Sequence, residues 1–101
     1  MNKMKLASLS SRLGFPPKTT FLGCAVFLHQ NDEFLAQHQV TSSGQSWAWT
    51  QSPFNAHKYK DYPTALKAAR QYTKANAEVI YLFDSPKQLF VLGHEEVNGD
   101  D

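Results

Sequence analysis

Residues 47–76 read WAWTQSPFNAHKYKDYPTALKAARQYTKAN, which places a strand, a turn, a lysine-bearing link and one amphipathic helix in succession. Trp47-Ala48-Trp49-Thr50 alternates large and small side chains, so a strand there puts both indoles on one face. Ser52-Pro53 suits the start of a short helical turn, because a serine oxygen accepts backbone N–H groups and proline fits a first turn. Asp61 is the expected N-cap of the main helix, with Tyr62, Pro63 and Thr64 as its first turn. Tyr62, Leu66, Ala69, Tyr72 and Thr73 then recur at helical spacing, Ala65 and Ala68 flank them, and Asn76 is a suitable terminating residue. Such an alanine-lined face sits low on a sheet, and the flanking sequence is expected to supply that sheet.

On the N-terminal side, residues 20–29 are apolar and β-branched, Asn31-Asp32 can form a two-residue turn, and residues 33–40 return as a second strand. With Gln30 opposite Glu33, Phe27 faces Ala36, Ala25 faces His38, Gly23 faces Val40 and Leu28 faces Leu35. One face then carries Phe21, Gly23, Ala25, Phe27, Phe34, Ala36 and Val40. Its small central residues make it the expected seat of the helix. The other face carries Leu22, Cys24, Val26, Leu28 and Leu35 with Gln37 and Gln39, so it is expected to be half exposed and able to join two copies around Leu22, Val26 and Leu35.

On the C-terminal side, Glu78 to Phe83 and Gln88 to Leu92 read as strands joined by the Ser85-Pro86-Lys87 turn. The expected fold is α+β: an antiparallel sheet of four to five strands with one helix on one face, in the order β-β-β-α-β-β. Residues 19–93 form the expected single domain. Residues 1–18 are expected to be a basic, weakly ordered arm whose Leu6, Leu9 and Leu13 could share a helical face before Gly14 and Pro16-Pro17. Residues 94–101 are expected to be an acidic, frayed tail.

At 101 residues, 42% apolar and 13% aromatic, the chain supports a helix-on-sheet core and excludes general disorder. The net charge of +1 conceals an uneven distribution. Residues 1–18 carry Lys3, Lys5, Arg12 and Lys18 without an acid, whereas the chain ends in Glu78, Asp84, Glu95, Glu96, Asp100 and Asp101 against Lys87. The lone Cys24 excludes an intramolecular disulfide and a cysteine-rich zinc site, and suits a reducing compartment. No apolar run approaches the roughly 20 residues that span a bilayer, so a cytoplasmic protein without membrane contact is expected.

Catalytic chemistry finds little footing. His29, His38, His57 and His94 have no Cys or Glu spaced to complete a ligand set, and no glycine loop has a phosphate-cradling pattern. Cys24 lies mid-strand among apolar residues that keep a thiol protonated, and no carboxylate pair is spaced as acid and base. The expectation is a protein without cofactor, metal or catalytic set. More telling are Lys67, Arg70 and Lys74 on the outer side of the helix, with Lys58 and Lys60 before its cap and no acid between Asp61 and Glu78. Trp47, Trp49, Phe54, Tyr59 and Tyr62 are interleaved with these cations, as in platforms that stack single-stranded nucleic acid, or else Tyr59 and Tyr62 pack beneath the helix and the tryptophans roof the core.

The run Trp49-Thr50, Ser52-Pro53, Ala56, Tyr59, Tyr62, Ala65 and Ala69 resembles a pattern in small accessory proteins of phages and mobile elements, in which a strand, a short turn and an alanine-lined helix lead into a hairpin. That resemblance includes anti-CRISPR and other anti-defence inhibitors. It implies a non-catalytic protein that covers part of a host protein or nucleoprotein complex. Many such inhibitors are strongly acidic, and this chain is not, so its contact would run through Lys58, Lys60, Lys67, Arg70, Lys74, Trp47 and Trp49. The alternative is a single-stranded nucleic-acid-binding domain that uses the same cations and tryptophans.

Overall fold

The strands around Gly23 are not a continuous hairpin, and a third piece of chain fills the gap between them. The computed structural model describes residues 3–98, with side chains from residue 5 onward. Its elements are α1 (Lys3–Leu13), β1 (Thr20–Leu28), β2 (Glu33–Thr41), β3 (Gly44–Thr50), a 3-10 turn (Pro53–Asn55), α2 (Tyr62–Gln71), β4 (Ala77–Asp84), β5 (Leu89–Gly93) and α3 (His94–Asn98). The strands form one antiparallel sheet in the order β3-β2-β1-β4-β5. The fold is therefore α+β, with the expected central order of strands and helix and a further helix at each end.

β1 and β2 pair only at Phe27 with Phe34 and Leu28 with Glu33, then separate. The link after β3 enters the opening. The His57 N–H donates to the Leu35 carbonyl at 2.8 Å, while Cys24 and Tyr59 exchange N–H to carbonyl bonds of 2.8 and 2.7 Å. Backbone groups that the diverging strands would otherwise leave unpaired are thus satisfied. Gly23 admits this segment: its φ is +140°, and a Cβ built there would lie 2.7 Å from the Tyr59 carbonyl oxygen.

The observed register corrects the expected hairpin by two residues, with Phe27 opposite Phe34 rather than Ala36 and Leu28 opposite Glu33 rather than Leu35. The turn uses residues 29–32 instead of Asn31-Asp32 alone, closing with an Asp32 N–H to His29 carbonyl bond and a positive φ at Asp32. A two-residue slide preserves which side chains share a face, yet between the two bulges the expected core face is reversed, while Phe21 and Val40, beyond the bulges, lie on the helix side as expected. Ala65, Ala68 and Ala69 of α2 join a core with Cys24, Val26, Leu35, Val79, Tyr81 and Phe83. Ala25 lies on the opposite side with Phe34, Ala56, Ile80 and Leu82. The small residues Gly23 and Ala25 accommodate the inserted link and its Ala56, not the helix. Bulges complete the rearrangement: Leu22 is an extra residue between the pairs Phe21–Phe83 and Gly23–Leu82, and Ala36 is extra between Leu35–Trp49 and Gln37–Ala48.

The proposed joining of two copies around Leu22, Val26 and Leu35 loses its surface. Val26 and Leu35 are fully buried in the helix-side core, and Leu22 packs on the other side of the sheet.

The ends of the described chain are also part of the core. Leu9 of α1 and Val97 of α3 are each 1% exposed, and the Arg12 guanidinium donates to the Val97 carbonyl. Phe15 packs against Phe83 and Phe90 at ring-centroid distances of 5.0 and 4.9 Å. Residues 3–18 therefore do not form a loose arm. Leu6 and Leu9 pack into the core, while Leu13, expected to share their helical face, is exposed. Residues 94–98 likewise dock as a helical turn instead of fraying, and the expected acidic end at Asp100 and Asp101 lies outside the described residues.

α2 begins as expected, with Asp61 accepting the Thr64 N–H at 2.9 Å and Pro63 in the first turn. It stops at Gln71, earlier than Asn76, because Tyr72 leaves the helical conformation at φ −89° and ψ 109°.

The tight approach at Gly23 makes a graded prediction. Gly23→Ala should lower the urea-unfolding stability by about 3 kcal/mol or more, through the clash as well as the backbone conformation. Gly14→Ala, also at positive φ but with open space around its Cβ, should cost about 1 kcal/mol. Equal losses would contradict the role given to the inserted segment.

Candidate functional site

Trp47 and Trp49 lie on the helix side of β3, two residues apart, with ring centroids 6.4 Å apart and planes 12° from parallel. His38, opposite Trp47 in β2, stacks on that indole at 3.7 Å and 8°. The His38 Nε2 is 2.7 Å from the Gln45 amide oxygen, which orients the imidazole. Tyr72, released from the end of α2, sets its ring edge-on to both indoles at 5.0 and 4.9 Å. Both tryptophans remain half exposed. Val40 extends the same face of the ribbon and is 70% exposed, so an apolar and aromatic surface continues past the helix.

The cations divide into two groups. Arg70 and Lys74 flank Tyr72 in sequence and are exposed, and Lys67 lies one helical turn before Arg70 on the solvent side. Arg70 occupies the last turn of α2, where the helix dipole favours positive charge. The salt bridge between His29 and Glu78 lies away from these three side chains.

Lys58 and Lys60 do not belong to that surface. The Lys58 Nζ donates to the Phe54 and Ala56 carbonyls at 2.9 and 3.0 Å, which holds the 3-10 turn against the far side of the sheet. The cause is alternation along the inserted link: His57 and Tyr59 share one side, with rings 4.5 Å apart, and Lys58 projects to the other. Lys60 precedes Asp61 at the start of α2, and ten helical residues separate it from Tyr72, about 15 Å along the axis. Hydrogen bonds from Thr64 hold the Asp61 carboxyl below its ordinary range, with Lys60 adding a smaller push in the same direction.

Of the seven residues singled out from sequence, Trp47 and Trp49 therefore pack with Tyr72, Arg70 and Lys74 lie exposed two residues to either side of Tyr72 in the chain, Lys67 lies one helical turn before Arg70, and Lys58 and Lys60 lie elsewhere. Tyr72 and His38 were not among the site residues expected from sequence. Tyr72 reads there as a buried helix position, and His38 meets Trp47 only after the Ala36 bulge resets β2.

The other reactive groups are held in structural roles. His94 stacks on Tyr62 at 3.9 Å, and its Nδ1 is 3.0 Å from the Tyr81 hydroxyl. Among the described residues no cluster of three or more His, Cys, Asp or Glu could hold a metal ion, and no helix is long and apolar enough to cross a membrane.

Burial pushes the Cys24 thiol up to about 11, with the Asp61 charge adding to the shift. Because the folded state favours the neutral thiol, this contribution to stability is complete below the ordinary thiol value and fades as pH rises toward 11. At pH 8 the folded protein should react with a disulfide reagent at least about 100-fold more slowly than the urea-unfolded chain. Comparable rates would show that the thiol is neither buried nor shifted.

Comparison with known proteins finds no matching family model, no matching curated protein and no matching solved structure.

Proposed function

We propose that this protein is a non-catalytic binding module that sets the aromatic surface around Tyr72, with Arg70 and Lys74, against an acidic surface of a host protein or nucleoprotein complex. The phage-type inhibitors that the sequence resembles act in this manner, by covering a surface. Cytoplasmic action against such a complex is part of the same reading.

The observation that carries the proposal is that the tryptophans are packed by His38 and Tyr72. A stacking platform for single-stranded nucleic acid offers open ring faces to successive bases. Here His38 covers one face of Trp47, and Tyr72 packs at a steep angle against both indoles, so the rings are held in place by their neighbours. Rings already ordered before contact lose little conformational freedom on binding. Trp, Tyr and Arg are also the side chains that most often dominate protein interfaces.

Immobilised protein should retain a host protein from nuclease-treated lysate. Trp49→Ala, or Arg70→Glu with Lys74→Glu, should abolish that retention, while Lys60→Glu should leave it within about twofold. Recovery of no protein, together with tight, salt-sensitive binding of single-stranded oligonucleotides and tryptophan quenching, would overturn the proposal in favour of the nucleic-acid reading.

A further inference from the structure

A second surface, with the opposite charge, lies at the other end of the sheet. β5 pairs only with residues 80–84 of β4, and Gly93, opposite Ile80, is its last residue. The chain then turns into α3, and the Glu96 carboxylate fixes that turn by accepting the Gly93 N–H at 2.9 Å. Ala77, Glu78 and Val79 pair with Leu28, Phe27 and Val26 of β1 on one side, but no described strand pairs with them on the other. An interior strand thus becomes an edge strand for its first three residues.

This edge borders a groove of about 650 Å³. Tyr62 and Leu66 of α2 line it on the helix side, and Glu95 and Glu96 of α3 stand at its end. Glu78 adds a third carboxylate, which also reaches His29, and no lysine or arginine lines the groove. Open strand edges accept another extended chain through main-chain hydrogen bonds.

We propose that this groove is a strand-addition site for an extended, lysine- or arginine-bearing segment of a partner protein. The open backbone at residues 77–79 supplies the pairing, the apolar wall of Tyr62 and Leu66 receives alternate side chains, and the three glutamates select positive charge. A second copy of the chain is a poor occupant, because a two-fold contact at this edge would bring the glutamates of both copies together. Nucleic acid is excluded by the same charge. Three residues of strand span only about 10 Å, so pairing alone is short and the charges carry much of the selectivity. The proposal is independent of the aromatic and basic surface at the end of α2.

The test uses the full chain and a capped heptapeptide of alternating lysine and threonine, followed by amide chemical shifts and peptide fluorescence anisotropy. The peptide should perturb Ala77, Glu78, Val79 and Gly93 and slow amide exchange along that edge. Its fully N-methylated form, with the same charge but no backbone donors, should bind at least tenfold more weakly, as should an alternating glutamate and threonine peptide. Glu78→Lys with Glu95→Lys should weaken binding of the lysine peptide at least tenfold while circular dichroism stays unchanged. The proposal is overturned if the lysine peptide does not bind, if its N-methylated form binds equally well, if the perturbed amides lie elsewhere, or if the free protein is a dimer through this edge.

Discussion

The structure depends on the hydrogen bonds that seat residues 57–59 between β1 and β2. They replace the strand pairing lost where the first hairpin opens, and they require a glycine at position 23 because the Tyr59 carbonyl occupies the space of a side chain. The consequences spread outward. Spreading the two strands carries the β2–β3 ribbon away from the centre of the sheet. Alternation along the inserted link sends Tyr59 toward the helices and Lys58 to the opposite side, where its ammonium ties down the 3-10 turn. Asp61 then follows at the position from which α2 can start across Cys24 and Val26.

The three described α-helices all contribute to the core on one side of the sheet. α2 does so through alanines, which bring its backbone close, whereas α1 and α3 contribute Leu9 and Val97 and are linked by the Arg12 bond to the Val97 carbonyl. Neither terminal helix is long enough to be stable alone, so both owe their order to this packing. That is why they were hard to read from sequence. The leucine spacing in residues 6–13 signals a helical face, but its order comes from distant partners such as Val97, Phe83 and Phe90.

The strands, α2 and the Asp61 cap were legible because each has a local cause: alternation, helical spacing, and an acidic side chain followed by Pro63. The orientation of the sheet was not. Gly23 and Ala25 mark a close approach, and a helix is the commoner neighbour of such residues, but here the neighbour is a piece of extended backbone and Ala56. The bulges at Leu22 and Ala36 change the facing of side chains along β1 and β2, and neither has a sequence signal strong enough to place it. The same limits apply to the candidate site. Trp47 and Trp49 share a face as their spacing requires, whereas the separation of Lys58 from Arg70 and Lys74 follows from the inserted link and so was invisible beforehand.

The result is a molecule with two unlike surfaces: aromatic and basic where α2 meets the tryptophan strand, acidic and edge-like where β4 outruns β5. Both follow from the way the sheet is opened and ended, and the inserted segment is the part on which the first of them rests. Amide hydrogen exchange at Cys24, His57 and Tyr59 tests that segment most directly. These three amides should exchange as slowly as those of the β1–β4 pairing and open only with global unfolding. Exchange at the rate of the exposed Ser42 and Ser43 turn, while β1 and β4 stay protected, would contradict a structural role for the inserted segment.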